Sequence, residues 1–415
     1  RYGTVTGVQT CALPISVGKC LTLEDGQTLT YDRVILSPGV SLKYGDVPGY
    51  SEAASTAMPH AWKAGHQTLL LRDQLAAMRQ GGTVLMSVPN NPYRCPPGPY
   101  ERASLMAQYL KKNNPTAKII IIDGKDTFSK QALFTEAWES LYPGLITHVT
   151  FADNGGVLRV DPDAMEIATA FENFEGDVVN IIPPQRAPDF VLEAGLGGGG
   201  EWCSIDQFTF ESVEAPGVHV IGDAAIVGDM PKSGFSASVQ GGVCAHVVAA
   251  LLSGQTPDLG VLLNTCYSFV STNYGISVAG VYRINEEGRL KSVAGTGGTS
   301  PTGAPLSIRE AEANHAQSWY KNLTSFLFGY VSVSARAIIF YLFLWFGMAA
   351  FASGDLPPSL AGPLTDVPGD PVRGLEVFRD GSKATCLICH SVSSLSDRDQ
   401  GVLGPLLDGV ADKYS

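Results

Sequence analysis

Two cysteines and a histidine lie close together near the end of the 415-residue chain, within ATCLICH at residues 384–390. Cys386, Cys389 and His390 form a CxxCH motif, in which two thiols bond the haem vinyl groups and the histidine binds the iron. A zinc site would need four ligands, and the nearest other cysteine is Cys266. The motif therefore predicts haem c, with His390 as the proximal metal ligand.

A second stretch that bears on chemistry is the proline-rich loop PNNPYRCPPGPYE at residues 89–101. It stands where a nicotinamide-binding unit carries GxGxxG, whose backbone N–H groups and helix start hold pyrophosphate. Its five prolines lack that donor, and one glycine remains to let phosphate approach. A literal GxGxxG occurs at residues 195–200, but no helical pattern follows it, so we interpret it as a surface loop.

Short apolar runs separated by glycine and proline must position these residues, which is typical of an α/β fold. Residues 83–88, 101–114 and 118–123 predict a strand, a helix and a second, parallel strand. A hairpin that turns at Asp25-Gly26 and leads into a buried strand is predicted over residues 21–39. The remaining predicted elements are buried strands at 177–184 and 217–225 and a helix at 236–254 that ends at Gly254.

Composition restricts the partners. The chain has 40 acidic and 28 basic residues, a net charge of -12, and 45% hydrophobic residues. This charge balance argues against binding to nucleic acid and for a folded protein with an anionic surface. Eight cysteines are too few for a disulfide scaffold in a chain this long, so each has to be interpreted from its neighbours.

Several motifs, taken together and in order, resemble the flavoprotein subunit of flavocytochrome c sulfide dehydrogenase over residues of about 17–328. The matching motifs are MPHAWKAGHQT, RCPPGPYERAS, FSKQ, IIPPQRA, HVIGDA, MPKSGFSASVQG and LNTCYS. The resemblance implies an α/β flavoprotein with two dinucleotide-binding domains, of the disulfide-oxidoreductase type. It also implies FAD-dependent oxidation of sulfide to sulfur or polysulfide, with transfer of electrons to a c-type haem.

The resemblance assigns catalytic roles to three residues. Cys95 and Cys266 match the two cysteines that form a redox-active disulfide beside the flavin, whereas without the motifs they would be two unrelated buried cysteines. Glu101 matches a glutamate near the flavin that exchanges a proton, although an acid at a helix start is also a routine dipole partner.

Further positions match the cofactor contacts of the family. Asp223, after Gly222, would bind the flavin ribityl chain, or alternatively cap a turn. Lys232, Ser233 and Gly234 would bring main-chain donors and a helix start to the flavin ring. Trp319 matches an aromatic residue near the flavin, and a core tryptophan is the alternative.

The end of the chain resembles the monohaem X subunit of the thiosulfate-oxidising Sox system, with the haem subunit of a sulfide dehydrogenase as a close alternative. The resemblance rests on GDPVRGLEVF, ATCLICHS and DQGVLGPLLDGVADKYS. The sixth haem ligand of such domains is a later methionine, and none follows His390. We therefore expect a truncated α-helical cytochrome c domain.

Two segments resemble processing or assembly products. Residues 5–15 resemble a translated sequencing adapter, the alternative being an ordinary tail. Arg336, an uncharged run over 337–352 and Ala350-Phe351-Ala352 resemble a signal peptide, with a membrane anchor or a core helix as alternatives. The expected first strand, GxGxxG and flavin-attaching cysteine of the family are absent before residue 17, so we expect an N-terminally truncated flavoprotein.

The predicted domain boundaries follow from these assignments. An adapter-like segment at 1–16 is followed by a remnant of the FAD-binding domain at 17–59, a second dinucleotide-type domain at 60–180 and a return to the FAD-binding domain at 181–254. A C-terminal flavin or dimer-type domain follows at 255–328. The chain continues with a signal-like or anchor segment at 329–354 and a truncated cytochrome c domain at 355–415.

Two other functions stay open at this point: an NAD(P)H-dependent flavin disulfide reductase, and an electron-carrying cytochrome joined to an inactive flavoprotein fragment. The expected partners are sulfide or another reduced sulfur species and a c-type cytochrome subunit, without nucleic acid, and with membrane contact only through residues 337–352. Covalent haem attachment needs an oxidising compartment, which predicts a periplasmic protein.

Overall fold

The structure, a computed structural model, describes residues 8–10, 19–23 and 26–328. It divides into two units, Arg1–Ala313 and Asn314–Ser415, and all the contacts below lie within the first. The adapter-like segment (apart from residues 8–10), the signal-like segment and the predicted cytochrome domain with Cys386, Cys389 and His390 lie outside the described residues.

The described strands and helices alternate along most of the chain. The strands are β1 (Val8–Thr10), β2 (Cys20–Leu23), β3 (Thr28–Thr30), β4 (Val34–Leu36), β5 (Ser41–Leu42), β6 (Thr83–Val88), β7 (Lys118–Asp123), β8 (Ile146–Val149), β9 (Val157–Asp161), β10 (Glu166–Thr169), β11 (Asn173–Glu175), β12 (Val178–Ile181), β13 (Gln185–Arg186), β14 (Val218–Val220), β15 (Leu262–Ser271), β16 (Tyr274–Ile284), β17 (Leu290–Ser292) and β18 (Gly298–Thr299). The helices are α1 (His66–Ala77), α2 (Gly98–Asn113), α3 (Gln131–Leu141), α4 (Phe151–Asn154), α5 (Asp189–Glu193), α6 (Gly234–Leu252) and α7 (Leu306–Phe328).

The central element is a parallel four-stranded sheet in the order β12-β6-β7-β8. Continuous apolar runs form its inner strands because both faces are covered. The predicted β6-α2-β7 unit is confirmed, although α2 begins three residues earlier than predicted, at Gly98. Pro99 fits there because the first turn of a helix does not use its N–H groups. This strand order is half of a dinucleotide-binding fold, which places a ligand crevice where β6 and β12 end.

A second parallel pair, β4 with β14, is covered by α6. The predicted hairpin is formed by β2 and β3, and it leads into β4. The expected burial of that strand is wrong: Val34 and Leu36 pack on the core, whereas Ile35 on the other face is exposed.

The predicted helix is α6, which is followed by Ser253 and by Gly254 in a left-handed conformation. Within the described ranges, α6 is the one helix that is long and apolar enough to cross a membrane. It packs on a short 3-10 helix at residues 222–224 and on β15.

The long hairpin β15-β16 brings the last part of the first unit to the parallel sheet. Its strands pair antiparallel, and β17 and β18 extend the sheet at β16. Both α2 and α6 pack against β15. Because β15 contacts a helix from each of the two parallel-sheet regions, residues on this strand lie beside loops from both.

Gly228 is a position where the backbone requires glycine. Its φ is +51°, and a Cβ added there would lie 2.0 Å from the carbonyl oxygen of Leu290. We expect Gly228→Ala to lower the free energy of unfolding by about 2 kcal/mol or more. Gly242→Ala, in the middle of α6 with open space around it, should instead raise it by about 0.5–1 kcal/mol. Denaturant unfolding of both variants tests the contrast, and equal effects would contradict it.

Candidate functional site

Cys95 lies in the loop after β6, at the crevice where a nucleotide would bind in a fold of this strand order. Its backbone is left-handed, with a φ of 59°. The Cys95 N–H donates to the carbonyl of Lys232 at 2.7 Å, and its carbonyl accepts from Gly98 at 2.8 Å. The loop therefore holds a partly exposed thiol at the position where a dinucleotide-binding fold would hold a phosphate group.

Cys266 reaches the same crevice from β15. Burial raises the pKa of the Cys95 thiol to about 12, and the neighbouring Cys266 and Glu101 raise it further. Burial also raises the pKa of Cys266. The structure thus brings together the two predicted cysteines, which are 171 positions apart in the chain, as free thiols close enough for Cys266 to raise the pKa of Cys95.

Glu101 stands in the first turn of α2 and points at the same strand. Its carboxylate accepts the N–H of Phe269 at 2.9 Å. Burial raises the pKa of Glu101, while the Phe269 N–H and the Lys130 ammonium group oppose that rise. A carboxyl group whose protonated form is favoured and which faces two thiols is suited to exchanging protons with sulfur, so its surroundings go beyond those of a helix-dipole partner.

Lys130 is a member of this cluster to which the sequence analysis gave no role. It is 6% exposed, and its Nζ donates to the Cys266 carbonyl and to Ser268 Oγ, at 2.8 Å each. The FSKQ motif contains this lysine, but a motif does not show which distant strand its side chain contacts. The signal that was available is a charged residue between the apolar Phe128 and Leu133 at the start of an apolar helix.

Gly222, Asp223 and the start of α6 border a second part of the site. They line one narrow cleft together with Lys232 and Ser233. Asp223 Oδ1 is buried and has no hydrogen-bond partner among the described residues. Burial raises the pKa of Asp223, against the influence of Arg94 and Lys232. A buried acceptor without a partner beside a helix N-terminus fits a ligand that offers hydroxyl donors, which the ribityl chain of a flavin does.

The side chains of Lys232 and Ser233 are already engaged. The Lys232 ammonium group donates to the carbonyls of Asp223 at 2.7 Å and Ala225 at 2.8 Å, and burial lowers its pKa to about 8. Ser233 caps α6 by accepting the N–H of Ser236 at 3.0 Å. Their side chains hold the loop in shape, which leaves the main chain around Gly234 to contact a cofactor, as the sequence analysis expected of this segment.

A cavity of about 530 Å³ opens beside the cysteine loop. Residues from four loops line it, among them Tyr93, Pro96, Phe128, Trp202, Met230 and Lys232. Its lining is mainly apolar with a few polar groups, which is typical of a small-molecule site.

Asp123 carries a carboxylate that is already engaged within the protein. It ends β7, where dinucleotide-binding folds place an acid for the ribose. Here the carboxylate is 1% exposed and accepts from Tyr100, from His148 at 2.9 Å and from Lys125 at 2.7 Å. Burial favours its neutral form, but these partners lower the pKa of Asp123 overall. The carboxylate is therefore engaged inside the protein and not free to accept from a ribose hydroxyl.

Not every predicted site residue belongs to this cluster. Trp319 lies in the second unit, so its flavin contact stays a prediction. The haem-binding residues lie outside the described part of the chain. Within the described ranges, no group of three or more His, Cys, Asp or Glu side chains is arranged to hold a metal ion.

Family models match two segments of the chain. Residues 68–183 match the model described as "Sulfide dehydrogenase [flavocytochrome c] flavoprotein chain, central". Residues 259–328 match the model described as "Flavocytochrome c sulphide dehydrogenase, flavin-binding". The first segment contains Cys95, Glu101 and Lys130, and the second contains Cys266.

Curated relatives are more distant. The chain is 22% identical to the mitochondrial sulfide:quinone oxidoreductase of Mus musculus over 259 residues, which are 57% of this chain and 54% of that protein. It is 18% identical over 254 residues to the mitochondrial sulfide:quinone oxidoreductase of Schizosaccharomyces pombe, covering 57% and 53%. The chain thus spans about half the length of the curated relatives it matches.

Solved structures share the fold. The sulfide:quinone oxidoreductase of Aquifex aeolicus superposes with a TM-score of 0.56 at 14% identity, over 81% of this chain and 79% of that one. The covalent putidaredoxin reductase-putidaredoxin complex gives a TM-score of 0.50 at 15% identity, over 74% and 75%. The flavoprotein part of the predicted fold class is therefore confirmed: the chain has the α/β fold of FAD-dependent flavoproteins of the disulfide-oxidoreductase type, and two of its segments match models of a sulfide dehydrogenase flavoprotein chain.

Proposed function

We propose that this chain catalyses FAD-dependent oxidation of sulfide, with Cys95 and Cys266 as the pair that handles sulfur. One observation carries the proposal: α2 begins between Cys95 and Glu101, beside the crevice where related folds bind a nucleotide, and it packs on β15, which carries Cys266. The matches to sulfide dehydrogenase models and to sulfide:quinone oxidoreductases support the same substrate.

The sulfur chemistry balances when the pair starts as a disulfide. The sulfur of HS⁻ attacks one cysteine sulfur, a new S–S bond forms, and the bond between Cys95 and Cys266 breaks. The attacked cysteine then carries a persulfide, and its partner leaves as a thiolate with the electron pair of the broken bond. A second HS⁻ attacks the outer sulfur of the persulfide, so that HSS⁻ leaves and the cysteine is left as a thiol. The thiol and the thiolate then re-form the bond between Cys95 and Cys266, and FAD, when bound, would accept the two electrons and the proton that this step releases.

Glu101 holds the proton in this scheme. Its carboxylate is fixed by the Phe269 N–H, and burial makes proton uptake easier than for an exposed glutamate because it raises the pKa. The residue can therefore take the proton released when sulfide binds as HS⁻ or when the persulfide ionises.

Asp223 is the residue that most directly tests the fit to FAD. We expect Asp223→Ala to weaken FAD binding by about 10- to 100-fold, since it removes a buried acceptor that the ribityl hydroxyls would satisfy. Flavin fluorescence quenching measures this without turnover. Asp229→Ala, which removes a surface carboxylate paired with Lys291, is the matched control and should bind FAD normally. Equal affinity of both variants would show that Asp223 does not contact the cofactor.

For the electron acceptor we propose a c-type haem, held by Cys386 and Cys389 with His390 as iron ligand, or on a cytochrome subunit that binds this chain. The CxxCH motif supports this acceptor over a quinone. An oxidising compartment such as the periplasm, in which covalent haem attachment takes place, fits the proposal.

The test of this function is anaerobic sulfide consumption by the FAD-supplemented chain, with either an oxidised c-type cytochrome or a quinone in solution. We expect sulfide to be consumed with cytochrome reduction. If sulfide were consumed only with the quinone, a quinone would replace the haem as the proposed electron acceptor. If no sulfide were consumed with either acceptor, the proposed function would be overturned.

A further inference from the structure

The ammonium group of Lys130 is fixed against one member of the cysteine pair. Lys130 precedes α3 with a left-handed φ of 63°, which turns its side chain back toward β15. Both of its hydrogen-bond acceptors, the Cys266 carbonyl and Ser268 Oγ, belong to that strand. No such bond joins Lys130 to the Cys95 loop in the described part of the chain, so the cation is tied to the second cysteine.

Several charged and titratable groups face this point, and they differ for the two sulfur atoms. They are Glu101 and Arg102 from α2, Arg94 and Cys95 from the β6 loop, Tyr282 from β16 and Glu312 from α7. Burial raises the pKa of Cys266, and Lys130 opposes this rise more strongly than Glu101 adds to it. Lys130 also opposes the rise of the Cys95 pKa, but there the charges of Cys266 and Glu101 act more strongly in the opposite direction. Burial lowers the pKa of Lys130 itself, and Cys266 is the strongest of the groups that oppose that change.

The Ser268 hydroxyl links the cation to the carboxyl group. It accepts from Lys130 at 2.8 Å, and it lies near enough to Glu101 to lower the pKa of that carboxyl group. A lysine held at two points loses little freedom to move away when the charge beside it changes. A fixed cation in a site with little water stabilises a nearby anion more than a mobile surface cation does.

We infer that Lys130 is a positioning residue that makes Cys266, rather than Cys95, the cysteine that ionises first when the pair is reduced. The inference rests on the proposed function, since it concerns the same pair. A thiolate is the form that gives up electrons and that leaves from a disulfide most readily. The cation thereby makes the two cysteines differ in how readily their thiols ionise, although the surrounding protein largely encloses both.

The test is the rate at which each cysteine of the reduced, full-length chain reacts with iodoacetamide, resolved by peptide mass spectrometry across a pH series. In the unaltered chain, we expect Cys266 to react at lower pH than Cys95. In Lys130→Met the loss of the cation disfavours the thiolate, so the reaction of Cys266 should slow about tenfold or more near neutral pH and its midpoint should move to higher pH. Cys95 should change less.

Two further variants separate charge from packing. Lys130→Arg keeps the cation and should leave Cys266 the more reactive cysteine, and Ser268→Ala should raise the Cys266 midpoint by a smaller amount. If Lys130→Met unfolds, circular dichroism will show the loss of structure and both thiols will react quickly. In that case Lys130→Arg and Ser268→Ala test the inference. Faster reaction of Cys95 in the unaltered chain, or an unchanged Cys266 midpoint in Ser268→Ala, would overturn the inference. Because alkylation needs no sulfide, a chain that fails to consume sulfide would refute the proposed function alone.

Discussion

The Cys266→Ser variant is expected to lose sulfide-dependent reduction of bound flavin by on the order of a thousandfold or more. A serine hydroxyl cannot form the disulfide with Cys95, so HS⁻ has no S–S bond to attack and no thiolate is released. The hydroxyl also does not ionise in the pH range in which a thiol does, so Lys130 would face no anion. Stopped-flow absorbance of the FAD-loaded variant measures the rate.

Cys20→Ser is the matched control for that loss. Cys20 is also a partly exposed cysteine on a strand, but it lies on β2 and lines neither the cleft nor the cavity of the site. The same atom is exchanged, and sulfide-dependent reduction should stay within about twofold of the unaltered rate if the effect belongs to the pair. If Cys266→Ser kept a tenth of the activity or more, the pair would not be the sulfur-handling site.

Arg309→Met is expected to lower the free energy of unfolding by about 3–5 kcal/mol. The Arg309 side chain is fully buried near the start of α7. It pairs with Glu136 at 3.4 Å and Glu312 at 3.5 Å and donates to the Pro301 carbonyl at 2.7 Å. Methionine fills much of the space but leaves the Glu312 carboxylate without its cation, and an uncompensated buried charge is costly.

Arg72→Met provides the comparison, because it removes the same groups from an exposed ion pair with Asp73, whose side chains are 67% and 63% exposed. Its effect should stay within about 0.5 kcal/mol, since surface pairs contribute little. Urea unfolding followed by tryptophan fluorescence gives both values. A loss below about 1 kcal/mol in Arg309→Met would mean that Glu312 finds water or another partner when the cation is removed.

Local pattern was sufficient for the parallel sheet and for the helices that cover it. The runs TVLMSV and KIIIID form β6 and β7 because no residue in their interiors favours a turn, and the predicted hairpin is formed by β2 and β3 before β4. The predicted start of α2 was three residues too late, because the prolines before it suggested a helix end. Proline is tolerated in the first turn of a helix.

The site could be predicted only as far as motifs reach. Cys95, Cys266 and Glu101 were chosen by resemblance, and the structure supplies the reason for their proximity, which is that α2 packs on β15. Lys130 and the Asp123 network were missed because most of their partners lie on distant elements. Lys130 donates to β15, and Asp123 accepts from Tyr100 and His148 as well as from its neighbour Lys125.

Anaerobic visible spectroscopy of the FAD-loaded chain tests the central claim most directly, with sulfide added to one sample and NADH to another. The account predicts that sulfide bleaches the flavin band, that NADH does not, and that the response to sulfide disappears in Cys266→Ser. Bleaching by NADH without bleaching by sulfide would contradict it, because the proline-filled loop and the occupied Asp123 would then have failed to exclude a nicotinamide cofactor.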